Sequence, residues 1–279
     1  MNSIVGFAVP LLISSLFQQL YSVMDTLIIS RFLGADALAG VGSTGQITFL
    51  TLCIALGMGN GGGLIISQSF GSKDRAKLER TVVSMSYIMA VLAVIMSFAG
   101  YCFSGAFLRL TNVPDNVFDY SLTYLKITFA FSAGVVLYNW GSSVLRSVGD
   151  SRTPLVALIF SSFLNIGLDL LFILNFKLGI AGAAYATVIS QFVSGAICLF
   201  VVYRNGLLHG FMVCRVPDVR NAVLVIKTSV PSIFQSCMIS LGGVSVQRLI
   251  NSFGSDVMAG YVAASKVDSL AIQVILSVG

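Results

Sequence analysis

Apolar residues in this chain come in long unbroken blocks, and polar residues gather in the short stretches between them. A block of about 18 or more apolar residues is the length at which a helix crosses the hydrocarbon core of a bilayer. The blocks predict spans over roughly 4–30, 46–70, 82–108, 122–145, 154–176, 181–203 and 228–253, with an eighth opening near 257. Strands of a membrane barrel alternate in polarity and run only about 10 residues, so that architecture is excluded. The first block is too long for a signal peptide and lacks a cleavage site after a short apolar core, so it reads as the first span. The fold class expected is an all-α, polytopic integral membrane protein.

Composition supports this reading, with 56% hydrophobic and only 10% charged residues and a mean hydropathy of +0.93. Soluble domains are about 25% charged. The net charge of +5 could point to nucleic acid, but its distribution points elsewhere. Lys73, Arg75, Lys77 and Arg80 follow the second span, Arg146 and Arg152 the fourth, and Arg204, Arg215, Arg220 and Lys227 the sixth. The alternate loops hold only Arg31, Arg109, Lys126 and Lys177. That asymmetry is the positive-inside bias, and it places the N-terminus and the basic loops in the cytoplasm of a multi-pass inner (plasma) membrane protein. The partner implied is the lipid bilayer, and no nucleic acid is called for.

The one sizeable polar stretch, residues 204–227, separates six spans from the remaining apolar blocks and is expected to be a cytoplasmic linker between two lobes. The start of the second part repeats the start of the first. VPLLISS at 9–15 aligns with VPSIFQS at 230–236, and Ile29 and Phe32 fall on Ile250 and Phe253 at the same offset. After one dropped residue, Gly34, Asp36, Ala39 and Gly40 fall on Gly254, Asp256, Ala259 and Gly260. Six crossings separate the copies, so both begin on the same side, as in a parallel repeat about an axis along the membrane normal. The expected organisation is a six-helix N-lobe over 1–203 and the first two helices of a second bundle over 228–279. Most of that second bundle is missing from the sequence, a C-lobe segment would have to complete it, and the chain alone is not expected to export drugs.

Asp169 is the only charge between Leu155 and Phe176. A carboxylate at mid-bilayer costs at least about 2.5 kcal/mol on insertion scales, so it should face the bundle interior and find partners. Asn165, four residues earlier, shares its helical face. A second acid, Asp25, lies in the first span, where Gln18, Ser22 and Asp25 form one polar stripe and Tyr21 stands four residues before the acid. The sixth span adds Thr187 and Gln191, again four apart. One reading is an interhelical hydrogen bond that only fixes packing. The stronger one is an ion-coupling site, since burial and a neighbouring acid both keep a carboxyl protonated to higher pH, and carboxylates with Asn and Thr oxygens suit Na⁺.

Other features carry less. The run GMGNGGG at 57–63 lacks the Gly-Lys-Ser/Thr ending of a phosphate loop and sits within a span, where small residues let helices approach closely. Cys53, Cys102, Cys198, Cys214 and Cys237 have no metal-ligand spacing and read as small buried hydrophobes. His209 reads as a solvated loop residue, and Lys266 and Asp268 in the last span have no assignable role. No hydrolase, metalloprotease or kinase signature is present, so the chain reads as a non-enzyme with no cofactor beyond a coupling ion.

Several segments together resemble the bacterial and archaeal branch of the multidrug and toxic compound extrusion (MATE) family. They are VPLLISSLFQQLYSVMDTLIISRFLGADALAGVG, LRSVGDSRTPL at 145–155, NIGLDLLFI at 165–173, GIAGAAYATVISQ at 179–191, and the stretch from Lys227 to Leu270. The resemblance implies a two-lobe secondary antiporter that exports small, amphipathic organic cations and other drugs against H⁺ or Na⁺. It assigns Asp25, Asn165, Asp169 and Thr187 to an N-lobe coupling site that could hold Na⁺, with a fourth-helix polar residue, Ser142 or Asn139, joining them. Gln18 and Tyr21 match positions lining the N-lobe cavity, with Ser22 and Gln191 on the same faces. A related lipid-linked saccharide flippase would favour several cationic residues to hold pyrophosphate, and spans one to six contain almost none. A non-transporting membrane fragment is a third reading, which loss of both acids without effect would favour.

The charge asymmetry makes a direct prediction. Cysteines introduced beside Asp115 should react with impermeant reagents from outside the cell only, and labelling there from the cytoplasm would reverse the topology.

Overall fold

The computed structural model describes residues 2–208 and 218–276, and every regular element among them is a helix. In chain order these are α1 (Asn2–Leu33), α2 (Ala35–Gly71), α3 (Arg75–Leu110), α4 (Asp115–Ala130), α5 (Ala133–Ser147) and α6 (Arg152–Leu170). A π-helical turn, Leu171–Asn175, extends α6, and α7 (Ile180–Arg204), α8 (Val219–Asn251) and α9 (Ser255–Leu276) follow. His209, Cys214 and Arg215 lie outside the described residues, as does the side chain of Lys266. Among the described residues α2, α3, α6 with its π turn, α7 and α8 are each long and apolar enough to cross a bilayer. The α4–α5 pair makes a sixth span if its two parts are counted together. The chain is an all-α integral membrane protein.

Three differences from the predicted elements have local causes. The block 122–145 is not one straight helix but α4 and α5, bent by 51° at Phe131 and Ser132. Ser132 shares a 2.9 Å hydroxyl–hydroxyl hydrogen bond with Ser97 of α3, and a Cβ at Gly134 would come within 3.0 Å of the Phe192 ring. The bend is therefore held by neighbours on α3 and α7. The block 154–176 widens into a π turn, where Phe176 N donates to Leu171 O at 3.1 Å and Leu178 N to Phe172 O at 3.0 Å. The stretch 204–227 is not all linker, because α8 begins at Val219, where the Asp218 side chain caps it by accepting from Arg220 N at 3.0 Å. Cys102 also departs from its reading as buried, since it is exposed on α3, whereas Cys53 and Cys198 are buried.

The helices also run past the predicted apolar limits. At the start of α3, Asp74 accepts from Lys77 N at 3.0 Å, which satisfies one of the orphan donors of the first turn. At the other end of the molecule the two copies of the internal repeat turn alike. Gly34 between α1 and α2 has φ +90°, Gly254 between α8 and α9 has φ +93°, and each precedes an aspartate in the first turn of the next helix, Asp36 and Asp256. Only glycine reaches that region without strain, so the aligned glycines have a backbone reason to be there.

α2 is the centre of the molecule and touches α1, α3, α4, α5, α8 and α9. Its glycine run permits this by presenting different residues to different helices. A Cβ on Gly57 would lie 2.8 Å from Ile233 N, and one on Gly61 would lie 2.5 Å from Ser229 Cα, both on α8. Gly59 and Gly63 instead face Ser143 of α5, and Gly62 faces Met85 of α3. Ser143 Oγ donates to Gly59 O at 2.6 Å, and Thr228 Oγ1 donates to Gly61 O at 3.2 Å, so backbone carbonyls exposed by the small residues are bonded across the seams. The run is a packing device, as its composition implied.

Two buried apolar clusters result. One joins α1, the start of α2, α4, the start of α7 and α9 through Ile29, Leu38, Leu125, Ala183 and Met258. The other joins the rest of α2 to α3, α5, α7 and α8 through Ile66, Met85, Val144, Val202 and Val225.

Gly61→Ala should lower stability by about 1–3 kcal/mol, because the new methyl meets the Ser229 backbone, which cannot give way as a flexible side chain can. Gly45→Ala, where nothing lies within 4 Å of the added Cβ, should be neutral or slightly stabilising. Thermal denaturation of the two purified variants checks this, and equal melting temperatures would contradict it.

Candidate functional site

Asn165 and Asp169 stand one turn apart on α6, and both are fully buried. The Asn165 amide, oriented to satisfy both neighbours, donates to Asp169 Oδ2 at 2.8 Å and accepts from Thr187 N at 3.1 Å. One side chain thus joins the acid of α6 to the backbone of α7. No N–H or hydroxyl donor reaches Asp169 Oδ1, and the Asp169 carboxyl is in hydrogen-bond contact with that of Asp25 on α1. An ionised carboxylate can only accept a hydrogen bond, so two ionised acids this close would need a proton or a cation between them to attract.

Thr187 is the second meeting point. Tyr21 of α1 donates through its hydroxyl to Thr187 Oγ1 at 3.4 Å. Tyr124 of α4 also reaches the Thr187 side chain and lies near both acids. Tyr124 is buried and belongs to the apolar cluster that surrounds the site, together with Ile28, Ile173 and Ala184. It is the residue that sequence reasoning missed. Its only signal is a tyrosine in a helix whose next two residues are Leu125, fully buried, and Lys126. Lys126 does not serve the acids, because its ammonium lies 5.6 Å from the Tyr101 ring centroid on α3.

The remaining expected residues divide. Ser22 and Gln191 are half-buried on the faces that carry Asp25 and Thr187, and Gln191 Oε1 is a buried acceptor without a partner. Gln18 shares the α1 stripe by spacing but is exposed. Asn139 and Ser142 are buried, yet their hydrogen bonds stay within α5: Asn139 Nδ2 donates to Val135 O at 2.8 Å and Ser142 Oγ to Asn139 O at 3.2 Å. Neither is joined to the acids by a hydrogen bond. Among the described residues no group of three or more His, Cys, Asp or Glu converges as for a transition metal. The donors present are oxygens from Asp25, Asp169, Asn165 and Thr187, a set suited to a proton or a hard monovalent cation.

Comparison with known proteins gives the chain its relatives. The chain is 32% identical over 270 residues to "Probable multidrug resistance protein YpnP" of Bacillus subtilis (strain 168), covering 97% of this chain and 60% of that protein. It is 31% identical over 283 residues to "Probable multidrug resistance protein YoeA" of the same strain, covering 98% of this chain and 61% of that one. The fold is similar to a solved structure described as the inward-facing conformation of a multidrug resistance MATE family transporter of the MOP superfamily. That match has a TM-score of 0.84 and 24% identity, and covers 93% of this chain and 60% of the other. The chain therefore spans about 60% of the length of the relatives it matches. The MatE family model matches residues 10–171, more than half of the sequence, and the chain belongs to the MATE family.

Proposed function

We propose that this chain supplies the ion-coupled lobe and the first part of the second lobe of a secondary antiporter that exports small organic cations in exchange for H⁺ or Na⁺. The observation that carries the reading is the contact between the Asp25 and Asp169 carboxyls inside a bundle of apolar helices. A structural pair would be served as well by an acid and an amide. Two acids on separate helices instead make the distance between α1 and α6 depend on what lies between them. With a proton or a cation in place the carboxyls attract through it; with neither, two like charges repel in a medium of low dielectric. Binding and release of the ion thus change the relative stability of two helix arrangements, which is what coupling requires.

Asn165 fixes the Asp169 carboxyl and leaves the Asp25 side as the variable one. Thr187, held by Tyr21 and Tyr124, supplies a neutral oxygen that could complete a Na⁺ site. The α1 face with Gln18 and Ser22 lines the export path on this reading, with the N-terminus in the cytoplasm of the inner membrane. A flippase of lipid-linked saccharide is less well supported, since the residues meeting at this site include two acids and no lysine or arginine.

Asp25→Asn and Asp169→Asn should each abolish ion-driven export while leaving expression and melting temperature close to the parent. The amide preserves size and hydrogen bonding but neither releases a proton nor balances a cation. Efflux is measured in proteoliposomes under a pH gradient and under a Na⁺ gradient, with the chain joined to the C-lobe helices of a relative such as YpnP. Parent-rate transport by both variants under both gradients would leave the pair a packing contact only.

Tyr124→Phe should reduce coupled transport by about 5-fold, the value of one ordinary hydrogen bond of about 1 kcal/mol. The drop should appear in the dependence on ion concentration rather than in protein yield.

A further inference from the structure

α3 and α8 touch, and their first turns stand side by side at the end of the molecule that carries the dense basic residues. A groove of about 560 Å³ lies between them. Its polar wall carries Lys77 and Arg80 from the first turns of α3, and Arg220 and Lys227 from α8. The spacing explains the convergence. Lys77 and Arg80 are three apart, and Arg220, Leu224 and Lys227 fall at i, i+4 and i+7, so each set occupies one helical face. Ser84 Oγ donates to Asp218 O at 3.5 Å and fixes the start of α8 against α3 beside the groove.

The acids near these cations are already engaged. Asp74 accepts from Lys77 N at 3.0 Å, and Asp218 accepts from Arg220 N at 3.0 Å and from Asn221 Nδ2 at 3.1 Å. Both therefore serve as helix caps, although their charge still offsets half of the four cations lining the groove. Glu79 pairs with Arg75 at 3.0 Å, and that is the only ion pair among the described residues. The rest of the groove is apolar, with Ala76, Val223 and Leu224. Val223 and Leu224 are exposed, so part of an apolar wall stands open beside four cations that form no ion pair among the described residues.

From this we infer that the α3–α8 groove binds an anionic phospholipid, its phosphate diester held by Lys77, Arg80, Arg220 and Lys227 and its acyl chain lying on Val223 and Leu224. The pairing of cations with an adjoining apolar wall at the level where a membrane helix meets water suits an amphiphile better than a soluble anion. A zwitterionic headgroup brings its own ammonium into a site that is already cationic and should bind more weakly. Because α3 belongs to the first bundle and α8 opens the second, the lipid would tie the two together at this end. The inference rests on the membrane fold and is independent of the coupling role proposed for Asp25 and Asp169.

The test uses the purified chain in detergent. Phosphatidylglycerol and cardiolipin are added in turn, with phosphatidylcholine as the zwitterionic comparison and glycerol 3-phosphate as the soluble one, and melting temperature is read. At saturation phosphatidylglycerol or cardiolipin should raise it by roughly 5 °C, with phosphatidylcholine and glycerol 3-phosphate giving little. About 0.5 M NaCl should remove most of the shift, because exposed cations are screened at that ionic strength. Lys77→Gln with Arg80→Gln, and Arg220→Gln with Lys227→Gln, should each lose at least half of it. Arg31→Gln with Arg204→Gln removes two exposed cations outside the groove and should retain it. An equal response to phosphatidylcholine, or to glycerol 3-phosphate, would overturn the lipid assignment even if a double variant failed to fold. Equal shifts in all three double variants would overturn the location.

Discussion

A buried polar group among apolar helices has no water to turn to, and nearly everything distinctive in this structure stems from how such groups are satisfied. Asp169 takes one bond from Asn165, and its carboxyl stands beside that of Asp25. That arrangement works only because α1, α6 and α7 are brought together at one depth, with α4 adding Tyr124. The same constraint acts elsewhere with different means. Gly59 and Gly61 carbonyls take serine and threonine hydroxyls from α5 and α8, and the far end of α8 is pinned by Asn251 Nδ2 donating to Thr111 O at 2.7 Å. Asn251 is itself held by Gln247 Nε2 at 2.8 Å, and both side chains are buried. Among the described residues the seams of the bundle are thus joined by neutral hydrogen bonds rather than ion pairs.

Much of this was legible in the sequence because the bilayer limits the choices so severely. Long apolar blocks gave the helices and their order, and the repeat VPLLISS/VPSIFQS with its glycines foretold that the α1–α2 and α8–α9 turns would match. Helix ends were less legible. α2 begins at Ala35 and α3 at Arg75, before the apolar blocks begin, since a helix need not stop where the lipid does; α3 is capped there by Asp74. The bend at Phe131 and Ser132 has no proline to announce it and is held by Ser97 and Phe192, which only the folded structure brings near.

The site shows the same division. Periodicity put Asn165 beside Asp169, because both lie on one helix and the geometry is local. Tyr124 escaped notice because its relation to Thr187 exists between helices, and nothing within DNVFDYSLTYLKITFA separates it from Tyr120, which is exposed. Asn139 and Ser142 show another side of this. They have the right chemistry on a buried helix, but their donors turn to α5 itself. Polar residues in apolar helices identify where hydrogen bonds must be made, though not with which neighbour.

The seam between α2 and α8 differs in kind from the rest of the interior. Where Leu and Phe interdigitate, moving one helix past another means withdrawing each side chain from its slot, and resistance comes in steps. At Gly57 and Gly61 one side of the seam has nothing to withdraw, and Ile233 and Ser229 of α8 lie with their main chain directly over the two glycines. Such a contact brings two helices very near, and the hydroxyls of Thr228 and Ser229 bond α2 carbonyls across it. The α2–α8 seam owes its closeness to the side chains that one helix lacks, so it works as a clearance rather than an interlock, and any bulk added on the α2 side would wedge the two helices apart.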